Sequence, residues 1–204
     1  MWRVWRAAGS EDLQYGALAA YPARPQLRRM TTLPDGTRAH RAEGETLPAI
    51  RCAVVTISDT RAESTDESGA LMKKLLVDAG HQVATYALLP NDEARVREHT
   101  RALLARGDID AVLLTGGTGL GSRDRTVEAV RPLLEKELPG FGELFRAISY
   151  QDQVGAAAIL SRALAGGAQG KLVVSMPGSK AAVELALRRI LLPELRHAIR
   201  ELRR

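Results

Sequence analysis

Hydrophobic and polar positions change period several times along this chain, and each change marks an element. Residues 50–58 (IRCAVVTIS) form a near-continuous apolar and β-branched run, the pattern of a parallel strand buried on both faces. After a polar loop, residues 69–79 repeat Leu71, Leu75 and Leu76 at helical spacing, with Gly80 placed to stop the helix. Residues 83–89 read as a second strand ended by Pro90, Glu93–Ala105 as a helix with Gly107 as its stop, and Ala111–Thr115 as a third strand. Beyond a glycine-rich loop the spacing predicts a helix over 127–138 that tolerates Pro132, short helices over 141–149 and 156–164, and a turn opened by Gly166, Gly167 and Gly170. A strand over 171–175, a helix over 180–191 and, separated by Pro193, a basic terminal helix complete the pattern. Strands alternating with helices predict an α/β fold: a three-layer α/β sandwich with a mainly parallel sheet.

Residues 1–49 differ in kind. Trp2, Trp5, Tyr15 and Tyr21 follow neither a helical nor a strand period, and Pro22, Pro25, Pro34 and Pro48 with Gly36 and Gly44 cut the segment into short pieces. We read 1–49 as a loosely ordered extension, with Met30 as a candidate start, and 50–204 as the folded domain. A docking arm anchored by its Trp side chains is the alternative.

Composition adds exclusions. The chain has 204 residues, 45% apolar and 26% charged, which excludes collagen-like and wholly disordered proteins. A single cysteine, Cys52, excludes an intrachain disulfide framework and any Cys-cluster metal site. The net charge of +5 invites a nucleic-acid partner, but it divides into +2 for residues 1–49, −1 for 50–187 and +4 for 188–204. The core is nearly neutral, too narrow a basic footprint for nucleic acid, and the terminal arginines read as a solvated helix face. No run approaches the roughly 18 apolar residues of a membrane span. Glu11, Asp12, Gln14 and Tyr15 interrupt any signal-peptide core, so a cytoplasmic protein is expected.

The chemistry lies where the strands end. In parallel sheets ligands bind beyond the carboxyl ends of the strands, where SDT (58–60), TGGTGLGSRD (115–124) and SMPGS (175–179) collect. Gly116, Gly117, Gly119 and Gly121 let backbone N–H groups face an anion without Cβ atoms in the way. Thr115, Thr118 and Ser122 add hydroxyls, and Arg123 sets a cation beside Asp124. A polyphosphate cradle is one reading and a tight strand-to-helix turn the other; the loop is neither a Walker A sequence nor a dinucleotide fingerprint. Asp124 suits a helix cap or Mg²⁺, which takes one or two carboxylates and leaves the rest to water and phosphate. Asp59, and Asp66 with Ser68 and Gly69, are polar groups in the same plane or ordinary caps. Pro177, Gly178 and Ser179 precede a helix start that favours a second anion, so the rim suits a ligand with two phosphate-bearing parts. His40, His81, His99 and His197 show no ligand spacing, and no Ser/His/Asp pattern emerges.

The blocks VVTISDTR (54–61), TDESG (65–69), LLTGGTGLGSRDRTVEAV (113–130), ELPGFGELFRAISY (137–150), AAILSRALAG (157–166) and VVSMPGSKAAV (173–183) resemble the MoaB/MogA family of molybdenum cofactor biosynthesis, with details more similar to MoaB. The resemblance covers residues 50–204 and implies a molybdopterin-binding domain fold. It implies Mg²⁺-dependent adenylylation of molybdopterin by ATP, giving adenylyl-molybdopterin and pyrophosphate. Gly116, Gly117, Thr118 and Gly119 then hold phosphate, and Asp124 serves metal and catalysis. Ser58, Asp59, Ser68, Gly69, Pro177, Gly178 and Ser179 line the pterin and nucleotide site. One departure stands out: where relatives often carry an acidic residue after the second strand, this chain has Asn91, with Asp92 next as the candidate substitute for catalysis and Mg²⁺. A molybdopterin-binding paralogue or scaffold without turnover is the alternative. The resemblance also implies a homotrimer or hexamer and a molybdenum-insertion partner protein.

Overall fold

A computed structural model describes residues 47–204. The expectations for 1–49, Met30 included, lie almost wholly outside the described residues. Within them, β1 (Arg51–Ile57), β2 (Gln82–Leu89), β3 (Ala111–Thr115), β4 (Lys136–Glu137), β5 (Leu164–Ala168) and β6 (Lys171–Met176) form one sheet in the order β2-β1-β3-β6-β5-β4. Strands β2, β1, β3 and β6 are mutually parallel; β5 runs antiparallel to both β6 and β4.

Alternation along each strand feeds two cores. Cys52 and Val54 of β1, Leu113 of β3 and Val174 of β6 face α1 (Glu67–Asp78), α4 (Pro139–Ser149), α5 (Lys180–Leu185) and α6 (Leu192–Leu202). Val55 and Ile57, Val112 and Leu114, and Val173 face α2 (Glu93–Ala105) and α3 (Thr126–Val130). The sandwich expected from the sequence is therefore present. Leu113 is fully buried, so Leu113→Ala costs about 2–5 kcal/mol in lost transfer energy and cavity.

Four expectations change. The helix expected over 127–138 ends at Val130; Arg131–Leu133 is a single 3₁₀ turn around Pro132, and the chain then forms β4. In place of a helix over 156–164 there is a widened turn (Tyr150–Val154) and a 3₁₀ segment (Gly155–Leu160). Gly166 and Gly167 belong to β5, not to a turn. A Cβ on Gly166 would overlap the Lys136 carbonyl oxygen and lie 2.8 Å from Leu134, so glycine permits the close approach of β4. Pro193 does not break the last helix. Residues Ala186–Leu191 take a wider helical register between α5 and α6, and Pro193 falls in the first turn of α6, where a proline is tolerated.

Strand order places the site. From β1 the chain goes one way to β2 and the other way to β3, so the sheet's switch point lies between the carboxyl ends of β1 and β3.

Candidate functional site

A cavity of about 540 Å³ opens at that switch point. Its floor is the 58–61 loop after β1, the 116–119 loop after β3 and the 177–179 loop after β6; Phe145, Ser149 and the 153–161 segment form the far wall. The three loops are pressed together. Gly116 has φ +103°, and a Cβ there would overlap the carbonyl oxygen of Ile57; one on Gly178 would lie 3.1 Å from the Gly116 Cα. At Gly116 the backbone angle and the overlap together require glycine; at Gly178 a side chain would crowd the neighbouring loop.

The glycine loop is held by its carbonyls. Thr126 N donates to Gly117 O (3.0 Å), Arg162 Nε to Thr118 O (3.1 Å), Asp124 N to Gly121 O (3.0 Å) and Arg162 Nη2 to Asp124 O (2.7 Å). By contrast, the N–H groups of Gly117, Thr118 and Gly119 have no protein acceptor among the described residues. Because the C=O and N–H of a trans peptide point opposite ways, tying the Gly117 and Thr118 carbonyls turns the Thr118 and Gly119 amides the other way, at residues that line the cavity. Such a concavity of donors suits an anion.

Two carboxylates flank it. Asp124 Oδ2 accepts from Gly121 N at 3.1 Å, leaving Oδ1 without a protein donor among the described residues. Asp59 accepts from Asn91 N (2.9 Å) and Asn91 Nδ2 (3.0 Å), and Arg123 pairs with it at 2.9 Å. These donors, Asn91's backbone N–H foremost, hold the Asp59 carboxyl below the usual carboxylate range. No group of three or more His, Cys, Asp or Glu among the described residues is arranged to hold a metal. Two hard carboxylates beside a phosphate-type cradle nonetheless suit Mg²⁺.

Of the residues named from the sequence, Ser58, Asp59, Gly116, Gly117, Thr118, Gly119, Asp124, Pro177, Gly178 and Ser179 line the cavity together. Asp92 does not. Its side chain accepts from Arg95 N at 2.8 Å and caps α2, so it faces its own helix, while Asn91 takes the place on the cavity wall. Ser122 is exposed outside the lining. Asp66, Ser68 and Gly69 sit behind it as structural supports. Asp66 caps α1 through Gly69 N (3.1 Å) and accepts from Thr56 Oγ1 (2.6 Å) and Tyr86 OH (2.8 Å). Burial opposes its charge most strongly, but those donors with the Arg61 cation outweigh it and keep the carboxyl below its usual range. Burial, then the bond to Asp66, pushes the Tyr86 phenol up to about 12.

Sequence reasoning missed two arginines. Arg61 lines the cavity and ties its loops by donating to Ser68 Oγ (3.2 Å) and Gly178 O (3.0 Å), while Ser68 Oγ donates to Gly178 O (2.7 Å). Arg162 braces the glycine loop from outside. Both lie in quoted blocks, but neither has a local spacing that announces a fold-distant partner.

Fold and rim together define a three-layer α/β domain with a cavity lined by a glycine loop at its switch point. A family model described as "Probable molybdopterin binding domain" matches residues 53–197. The chain is 51% identical over 163 residues to molybdenum cofactor biosynthesis protein B of Halalkalibacterium halodurans, covering 80% of this chain and 95% of that one. A crystal structure of a molybdenum cofactor biosynthesis protein B superposes with TM-score 0.74 at 50% identity, over 76% of this chain and 96% of that one. The tungsten cofactor synthesizing protein MoaB from Pyrococcus furiosus gives 0.69 at 36% identity, over 76% and 98%. The chain belongs to the MoaB/MogA family and is a molybdenum cofactor biosynthesis protein.

Proposed function

We propose that this protein adenylylates molybdopterin with ATP in a Mg²⁺-dependent reaction. The observation that carries the reading is the loop whose Gly117 and Thr118 carbonyls are tied to Thr126 and Arg162 while its Gly117, Thr118 and Gly119 amides lack protein acceptors among the described residues. A triphosphate satisfies those amides. In the reaction an oxygen of the terminal phosphate of molybdopterin forms a bond to the α-phosphorus of ATP as the bond to the β-phosphate oxygen breaks, giving adenylyl-molybdopterin and pyrophosphate. A phosphate monoester has its second pKa at about 6, so the nucleophile is already largely ionised near neutral pH. No histidine among the described residues lines the cavity, and none is needed as a base.

The chain's task is positioning and charge stabilisation. The glycine-loop amides orient the triphosphate, and the 58–61 and 177–179 loops hold the pterin side. Asp124, joined by Asp59, would hold Mg²⁺, which when bound supplies countercharge to the departing pyrophosphate. Asp92 is engaged as a helix cap and is left out of this assignment.

A second reading, molybdopterin binding without turnover, is favoured by the neutral Asn91 amide on the cavity wall. ATP labelled at the α-phosphorus separates the two. Label passing into the pterin fraction supports the transferase; label remaining in nucleotide, with saturable pterin binding, supports the binder.

A further inference from the structure

Arg162 lies outside the cavity lining yet contacts the glycine loop at two places. Its Nε donates to Thr118 O (3.1 Å) and its Nη2 to Asp124 O (2.7 Å), one contact near each end of the loop. Its third nitrogen, Nη1, donates to Glu128 Oε1 at 2.5 Å, and Glu128 lies on α3 directly behind the loop. Arg162 also follows Ser161, which lines the opposite wall of the cavity. A single side chain therefore joins the phosphate-type loop, the helix behind it and the 153–161 wall.

Geometry gives this brace a direction. Holding Thr118 O behind the loop turns the Gly119 N–H the other way, into the cavity. A planar guanidinium can serve two carbonyls and a carboxylate at once from a fixed fork; a lysine ammonium on a flexible stem is a point donor that does not reproduce that fork. Glu128 orients the fork and balances its charge, so the guanidinium stays on the carbonyls and does not compete for an incoming anion.

We propose that Arg162, aimed by Glu128, is a positioning residue that holds the Gly119 amide, beside those of Gly117 and Thr118, in its anion-ready orientation and couples it to the wall carrying Ser161. This rests on the reading that those amides receive the phosphates of ATP. Loss of the brace lets the Thr118–Gly119 peptide rotate, so ATP affinity falls while the pterin loops, which Arg162 does not touch, keep their ligand.

The test uses the full chain as wild type, Arg162→Lys, Glu128→Gln and the control Arg131→Lys, whose own ion pair is with Glu137. Two quantities are read: hydrogen exchange at the Asp124 and Thr126 amides, which the loop's own carbonyls hold, and binding of Mg²⁺-ATP and of molybdopterin by calorimetry. Arg162→Lys is expected to raise exchange at those two amides about tenfold, with β1 and β3 unchanged. It is also expected to weaken ATP about tenfold and leave molybdopterin within twofold. Glu128→Gln shifts the same readouts in the same direction by less, which keeps the test decisive if Arg162→Lys folds poorly, and Arg131→Lys changes none. The proposal is overturned if the two amides keep wild-type exchange, if exchange rises equally through the sheet, or if ATP and molybdopterin weaken together. Failure of the wild type to bind ATP would refute the adenylylation reading instead, and the amide exchange would still decide whether Arg162 positions the loop.

Discussion

Asn91 grips both oxygens of Asp59, donating its backbone N–H to one and its side-chain Nδ2 to the other at 2.9 and 3.0 Å. Asn91 thus holds the Asp59 carboxyl below its usual range and fixes it at the cavity rim. Asn91→Ala is expected to raise the Asp59 pKa toward the ordinary value of about 3.9, and Asn91→Asp to raise it further, since two adjacent carboxylates resist joint ionisation. Carboxyl NMR titration reads this directly; an unmoved Asp59 would contradict the assignment. The sign follows from the depressed folded-state pKa: the contribution of Asp59 is present above its unfolded pKa and lost as pH falls through the folded one.

Gly117 has φ +63°, and a Cβ there would overlap Thr126 Oγ1 and lie 2.6 Å from Asn91 Oδ1. Gly117→Ala is therefore expected to destabilise the domain by about 1–2 kcal/mol from the left-handed backbone alone. It should also weaken ATP at least tenfold by displacing the loop. Thermal unfolding and calorimetry check the two parts separately.

Asp110 anchors the opposite end of the sheet. It accepts from Arg51 N (2.8 Å), Arg51 Nε (3.0 Å) and Arg51 Nη2 (2.7 Å), and it pairs with Arg203. Burial acts most strongly against its charge, yet the arginine donors hold the carboxyl far below the usual range. Both arginines are more than a third exposed, which screens the pairs, so Asp110→Asn should cost only about 1–3 kcal/mol at pH 7. Because the folded pKa is depressed, the gap between wild type and variant is expected to narrow as pH falls below about 4, while ATP binding stays unchanged. Urea titrations at pH 7 and pH 3 measure the gap.

Leu138, Leu144, Tyr150, Val154, Ile159 and Leu160 are exposed large apolar side chains concentrated in one stretch of the chain. Surface of this kind suits an assembly contact. The trimer or hexamer implied by the family resemblance should appear in sedimentation as a mass in multiples of three, and Ile159→Asp should shift it toward monomer. A monomeric wild type would contradict the expectation.

The parallel core was legible because buried strands such as 111–115 are apolar throughout and their flanking helices keep a clean period. Strand β5 was not: Leu164–Ala168 is LAGGA, in which small residues serve close backbone approach and leave no period to read. The same limit applied at the site. Gly116 and Asp124 were recognisable from their own loop, and Asp92 from its acidic type, yet its role as a cap depends on the local geometry of α2. Arg162 acts on carbonyls 38 and 44 residues away, a relation that only the folded chain creates.

Adenylate transfer at the cavity flanked by Asp124 is tested most directly by its second product. Pyrophosphate release should be followed with ATP and Mg²⁺, with and without molybdopterin, in wild type and Asp124→Asn. Release is expected only when molybdopterin is present, in amounts equal to adenylyl-molybdopterin, with a fall of about a hundredfold in the variant, consistent with losing one group that stabilises developing charge. Absence of pyrophosphate from wild type that binds both substrates, or full turnover by Asp124→Asn, would contradict it.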